Sequence, residues 1–280
     1  WNDQEGKHTF LHSSSHLMAA AVLELYPNAK FGIGPAIENG FYYDIDFGDK
    51  VLSSEDFPKI EAKMQEIAKS GVGLVRKEVS KAEALKFFGD KGEVYKTELI
   101  EELEDGTITF YESGKFIDLC KGPHLVDFSS IKAIKILSLA GAYWRGDEKR
   151  KQLTRLYAIT FPKKKELDEY LALLEEAKKR DHKRLGKELD LFMMSEYAQG
   201  MPFFLPHGML LRNVLENFWY EEHTKEGYQF IKTPIMMSKE LWETSGHWQN
   251  YKENMYTSLV DEREFAIKPM NCPGSMLVFK

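Results

Sequence analysis

Residues 30 to 47 read KFGIGPAIENGFYYDIDF, and the order of turn residues and alternating residues in this stretch decides the fold class. Asn39-Gly40 is the strongest short hairpin signal available to a sequence. After it, Phe41, Tyr43, Ile45 and Phe47 occupy every second position, the period of a strand with one face buried. Before it, Pro35 confines the first strand to an edge or a bulge, because proline has no N–H for the ladder. The stretch is therefore expected to form an antiparallel hairpin. Its GIGP segment supplies turn chemistry and lacks the full spacing of a phosphate loop.

The same signature recurs twice further along the chain. TITFYESGKFIDLC (107–120) is expected to turn at Ser113-Gly114, and LAGAYWRGDEKRKQLTRLYAITF (139–161) in its charged middle. Helical patterns cover residues 9 to 26, with Thr9 as N-cap and Pro27 as terminator, and then 55 to 69 and 80 to 88. Hairpins interleaved with helices, without strand–helix–strand alternation, indicate an α+β fold of helices packed on antiparallel hairpins rather than a doubly wound sheet. From Lys163 to Leu191 a stripe of Leu167, Leu171, Leu174, Ala177, Leu185 and Leu189 predicts one long charged helix. Asp181 falls on that stripe and is expected to pair with a nearby base. Lys178, Lys179, Arg180, Lys183 and Arg184 have the chemistry to follow a phosphate backbone, although a solvated helix face is the simpler role for each.

The chain of 280 residues, 43% hydrophobic and 29% charged, is long enough for about two domains. No apolar run approaches the roughly 18–20 residues of a membrane span, and the N-terminus has no signal-peptide pattern. The two cysteines, Cys120 and Cys272, do not suggest a disulfide framework, which favours a reducing cytoplasm. A net charge of −6 argues against general coating of nucleic acid, without excluding a local basic surface. The chain opens on Trp1 and stops at Lys280 just after an apolar run, so it is expected to be a piece of a longer chain.

Two short motifs carry chemistry. HSSSH places His12 and His16 on one helix face. The next residues on that face are Ala19, Ala20 and Leu23, so the imidazoles should look into the protein or a cleft. CKGPH ends the second hairpin with Cys120 and His124, and period two puts Asp118 on the same strand face as Cys120. Three chemistries fit this set. One is a tetrahedral zinc site of one Cys and three His. Another is a metal-free hydrolytic pocket in which imidazoles move protons and position water. The third is a covalent cysteine nucleophile, which needs a lowered thiol pKa. Spacing alone slightly favours zinc.

H-x-x-x-H, IGPAIENGFYYD, LCKGPH, AGAYWRGD and KPMNCPG, in this order, resemble bacterial-type threonyl-tRNA synthetases, and the resemblance extends over essentially the whole chain. It implies an editing domain over 1–162 that hydrolyses mischarged seryl-tRNA(Thr). A linker helix over 163–187 and the beginning of a class II catalytic domain over 188–280 would follow. LLRNVLENFWYEEHTKEGYQFIKTPIMM is similar to class II motif 1, a long helix followed by a strand ending at a proline, here Pro234, which builds a homodimer interface. Cys272 matches the first zinc ligand of the synthetic site; its partners, and the arginines that bind ATP, would lie beyond Lys280. Ser275 stands where the family usually has His, which removes any substrate or tRNA contact of that His. The longer enzyme would attach threonine to tRNA(Thr) with ATP, magnesium and zinc, and this chain would be competent only for editing.

The resemblance also reverses the zinc preference, because the family's editing pocket works without metal. It places His12, His16, Cys120 and His124 around the ester and Asp118 at the seryl ammonium. Lys96 and Tyr43 would make hydroxyl and adenosine contacts, and His124 or Cys120 would be the base. Two sites are physically reasonable, since one missing methyl is worth only about 1–3 kcal/mol of discrimination.

Overall fold

The computed structural model describes residues 3–280, which divide into two compact units, the first running to Arg180 and the second Asp181–Lys280. In the first unit, α1 spans Gln4–Leu25. It starts five residues before the expected point: Asp3, not Thr9, is the N-cap, and its carboxylate accepts from Gly6 N at 2.7 Å. The polar opening turn hides this start from any apolar period. Phe10, Leu11 and Ser13 through Val22 are all buried, so α1 is enclosed on nearly every side. That explains why its pattern is less two-faced than that of a surface helix.

The quoted stretch forms β1 (Lys30–Phe31), β2 (Ala36–Ile37) and β3 (Gly40–Asp46). β1 and β2 pair with the two ends of β3 and flank the Pro35 segment, one strand broken as proline demands. Ile37 pairs with Gly40, so the loop residues are Glu38 and Asn39, one position earlier than Asn-Gly. The expected alternation is present: Phe41, Tyr43 and Ile45 are fully buried, each worth about 1.5–3 kcal/mol of transfer free energy.

α2 (Phe57–Lys69), β4 (Val75–Glu78) and α3 (Lys81–Asp90) follow. α4 (Val94–Glu101) was not legible, because its short text has no clear apolar stripe. β5 (Thr109–Ser113) and β6 (Phe116–Leu119) form the second hairpin; Ser113 pairs with Phe116, which shifts its turn to Gly114-Lys115. β7 (Ala133–Tyr143) and β8 (Gln152–Phe161) form the third. The main antiparallel sheet runs β1-β3-β8-β7, with β2 also on β3, and a smaller one runs β4-β5-β6. One core cluster joins α1, α2, β3, β8 and Phe116 of the small sheet. The α+β class stands as expected.

The long helix is two helices. α5 (Lys164–Lys179) ends at Arg180, and α6 (His182–Glu188) begins after Asp181. In place of the expected pairing with a base on a continuous stripe, the Asp181 carboxylate accepts from Lys183 N and Arg184 N as an N-cap. A capping carboxylate satisfies two orphan N–H groups, which an exposed ion pair does not. Lys178, Lys179, Arg180 and Arg184 each pair with an acid three or four residues away.

The second unit contains the β9–β10 hairpin (Phe192–Met193, Phe203–Phe204), α7 (Pro206–Lys225), β11 (Met236–Ser238), α8 (Lys239–Thr244) and α9 (His247–Tyr251). β12 (Thr257–Val260), β13 (Arg263–Ile267) and α10 (Cys272–Phe279) complete it, the sheet running β11-β13-β12. The motif-1-like helix is present, but the expected strand before Pro234 is not. Residues 228–234 carry no strand, and β11 starts two residues after the proline. No helix among the described residues is long and apolar enough to cross a membrane.

Candidate active site

The HSSSH turn of α1 and the CKGPH turn after β6 meet. The ligand atoms of His12, His16, Cys120 and His124 all lie within 4.8 Å of one another. Cys120 Sγ is 3.3 Å from His12 Nε2 and 3.2 Å from His124 Nε2. The His124 ring lies 4.2 Å from that of His12 and 4.1 Å from that of His16, centroid to centroid.

Backbone detail fixes this convergence. Cys120 N donates to Thr109 O at 3.0 Å, and Thr109 Oγ1 donates back to Cys120 O at 2.5 Å. The chain then reverses through a cis Gly122-Pro123 bond. Gly122 has φ 73°, and a Cβ there would lie 2.3 Å from Tyr111 Oη, so a side chain is excluded on both counts. Tyr111 packs its ring 4.4 Å from that of His124. Gly34 is a second close approach: a Cβ there would lie 2.1 Å from the Tyr43 ring.

Ser13, which the sequence did not single out, sets the His124 tautomer. Its Oγ donates to Thr9 O at 2.8 Å and accepts from Leu125 N at 2.9 Å. A hydroxyl has one proton, so in the 3.1 Å contact with His124 Nδ1 the serine accepts and Nδ1–H donates. His124 Nε2 is then an acceptor, contacted at 3.2 Å by the Cys120 thiol, whose single proton is shared with His12 Nε2 at 3.3 Å. The signal for Ser13 was the run of three serines between the imidazoles; all three are fully buried.

Burial keeps this cluster uncharged. Desolvation drives His124 down to about 2, helped by the neighbouring imidazoles His16 and His12. Desolvation also lowers His12, against the pull of Asp118, and holds His16 well below the ordinary imidazole value. The Cys120 thiol is pushed up to about 12, first by burial and then by the Asp118 charge. At neutral pH the thiol keeps its proton, which disfavours a cysteine nucleophile.

Behind the imidazoles lies a second, charged layer. Lys96, from α4, pairs with Asp118, from β6. Tyr43 Oη donates to Asp118 Oδ2 at 2.6 Å, Lys96 Nζ donates to Tyr43 Oη at 3.1 Å, and His16 Nε2 lies 3.4 Å from the same carboxylate. Tyr43, Lys96 and Asp118 are all buried. Burial and the adjacent Asp118 raise the Tyr43 phenol well above its ordinary value. Tyr43 thus has no exposed surface for an adenosine, and the Asp118 carboxylate is already engaged by three neighbours.

Cys272 lies apart from this cluster in sequence and in structural unit. It is an exposed free thiol at the start of α10 and joins no group of three or more possible ligands among the described residues. One thiolate does not make a zinc site. Ser275 Oγ donates to Cys272 O at 2.8 Å.

A half-buried cluster of one thiol and three imidazoles, cradled by hairpins on an α+β scaffold, defines a class. Residues 108–157 match the family described as the threonyl and alanyl tRNA synthetase second additional domain. The chain as a whole belongs to the threonine–tRNA ligase family. It is 57% identical over 281 aligned residues to the threonine–tRNA ligase of Syntrophomonas wolfei, and equally so to that of Clostridium tetani. Each alignment covers 100% of this chain and 44% of the relative, so the chain spans less than half the length of these proteins. Among solved structures, the RNA binding domain of threonyl-tRNA synthetase from Cryptosporidium parvum is 42% identical, with a TM-score of 0.35. That match covers 36% of this chain and 25% of the other.

Proposed function

We propose that the first unit is an aminoacyl-ester hydrolase that removes serine wrongly attached to tRNA(Thr). The observation that supports it best is the neutral Cys–His cluster, in which Ser13 holds His124 Nδ1 and Nε2 is left as the accepting nitrogen. A water held by His124 Nε2 attacks the seryl carbonyl and passes its proton to that nitrogen. The bond from the carbonyl carbon to the ribose oxygen breaks, and that oxygen takes up the proton that His124 Nε2 received from the water, which returns the imidazole to its neutral form. Free serine and uncharged tRNA result. Cys120 acts as a neutral polar wall. Tyr43, Lys96 and Asp118 are positioning residues that fix His16, and through it the cluster. An ammonium reaches Asp118 only if Lys96 yields part of its ion pair. Threonine, larger by one methyl, is excluded by size.

The test compares deacylation of seryl-tRNA(Thr) and threonyl-tRNA(Thr) by the chain. A kcat/KM at least ten-fold higher for the seryl ester is expected; equal values contradict the reading. A zinc-dependent deacylase is the second reading, favoured by the mutual approach of the four ligand atoms. Stoichiometric zinc that is lost in Cys120→Ser decides for it.

The remaining assignments belong to the same reading. The 163–187 segment is the linker, and 188–280 is the opening of a class II catalytic domain. In the longer enzyme that domain attaches threonine with ATP and magnesium, uses zinc held partly by Cys272, and dimerises through the α7 segment. The setting is the cytoplasm.

A further inference from the structure

The Cys–His pocket accounts for the acyl end of a substrate and leaves the strand that carries it unassigned. α1 holds a third imidazole, His8, one turn before His12 on the same face, with ring centroids 6.0 Å apart. Exposure falls inward along the series: His8 is exposed, His12 half-buried and His16 buried. The outer end of this ladder opens on a groove of about 670 Å³ whose lining includes Lys7, His8, Leu11, Ile37, Glu38 and Pro123. The groove and the pocket share two elements, since His8 precedes His12 on α1 and Pro123 directly precedes His124 in the CKGPH turn. An ester seated in the pocket therefore has this groove beside it.

The walls indicate what the groove takes. Leu11, Ile37 and Pro123 are apolar, and Ile37 is 39% exposed with no polar group to offer. The charges are of both signs: Lys7 Nζ reaches the Glu38 carbonyl at 3.1 Å, and Glu5 and Glu38 lie in the same lining. Such a groove does not select a phosphate. A flat imidazole beside apolar side chains suits a planar base from a single strand, which proteins bind by stacking on aromatic rings. His8 is one helical turn, about 5.4 Å, further out than His12, at the exposed end of the imidazole series.

We propose that His8 is a substrate-binding residue whose ring stacks on the base adjoining the esterified nucleotide of the tRNA 3′ end. This rests on the deacylase reading above.

The test uses the whole chain with two substrates, seryl-tRNA(Thr) and 3′-O-seryl-adenosine, which lacks the adjoining base. His8→Ala is expected to raise KM for seryl-tRNA about ten-fold with kcat changed less than two-fold. His8→Phe, which keeps a stacking ring, should restore KM. Neither change should affect seryl-adenosine. An unaltered KM in His8→Ala, a His8→Phe variant as weak as His8→Ala, or an equal loss on seryl-adenosine overturns the proposal. The parent chain and His124→Ala separate the two ideas: if the parent hydrolyses neither ester, or His124→Ala hydrolyses both at the parent rate, the reading of the Cys–His cluster as the deacylase site fails whatever His8 does.

Discussion

The two units of this chain make opposite use of their apolar residues. In the first, α1 is wrapped by the hairpins and α2, and its middle is sealed. In the second, the buried hydrophobic cluster among the described residues is Trp242, Trp248 and Ala266. The twenty-residue α7 buries only Gly208 and leaves Leu210, Val214, Leu215 and Phe218 at 58–66% exposure. These side chains stand uncovered in a chain that spans 44% of the length of its relatives. Chemistry that depends on desolvated imidazoles needs the first kind of packing, because the pKa shifts at His16 and Cys120 follow from burial.

The comparison breaks most directly by hydrogen exchange. Amides of α1 and β3 should exchange only through global unfolding, and those of α7 orders of magnitude faster. Equal protection of α1 and α7 would remove the distinction.

A smaller but well-defined effect is expected with pH. His12, His16 and His124 have lowered pKa values in the fold, so below about pH 6.5 the unfolded chain binds more protons and stability falls. Each histidine contributes up to about 1.4 kcal/mol per pH unit there. Cys120 and Tyr43 are raised, so stability is kept below their unfolded pKa values and is lost as alkali deprotonates the unfolded chain. Chemical denaturation across pH 4–10, followed by a first-unit probe, should show a maximum near pH 7–8. A profile that stays flat down to pH 4.5 contradicts burial of neutral imidazoles. By the same shifts, the deacylation rate constant should lack a step between pH 5.5 and 8. A titration near 6.5 would place a solvated histidine in the reaction instead.

The smallest effect concerns the boundary between the units. Asp181→Ala removes the N-cap of α6 and should loosen the start of that helix, read as faster amide exchange at Lys183 and Arg184. Unchanged exchange would show that the cap does not hold the helix start.

What was legible follows from how local each signal is. The Phe41–Tyr43–Ile45 alternation and the Asn-Gly and Ser-Gly turns are written within a few residues, and the hairpins came out within one position. The HSSSH and CKGPH pairs could be suspected of meeting because both are unusual for their surroundings. α4 was missed because its identity depends on tertiary burial of Lys96 against Asp118, more than twenty residues away. The role of Ser13 needs His124, 111 residues distant, before it has meaning. Asp181 misled because one carboxylate can complete an ion pair or cap a helix, and only the backbone decides between them.

The single-turnover rate constant for deacylation of seryl-tRNA(Thr) by His124→Ala tests the central claim most directly. A proton acceptor at Nε2 predicts a fall of about 10²–10⁴-fold with the fold intact by circular dichroism. A folded His124→Ala protein that hydrolyses the ester at the parent rate would contradict it.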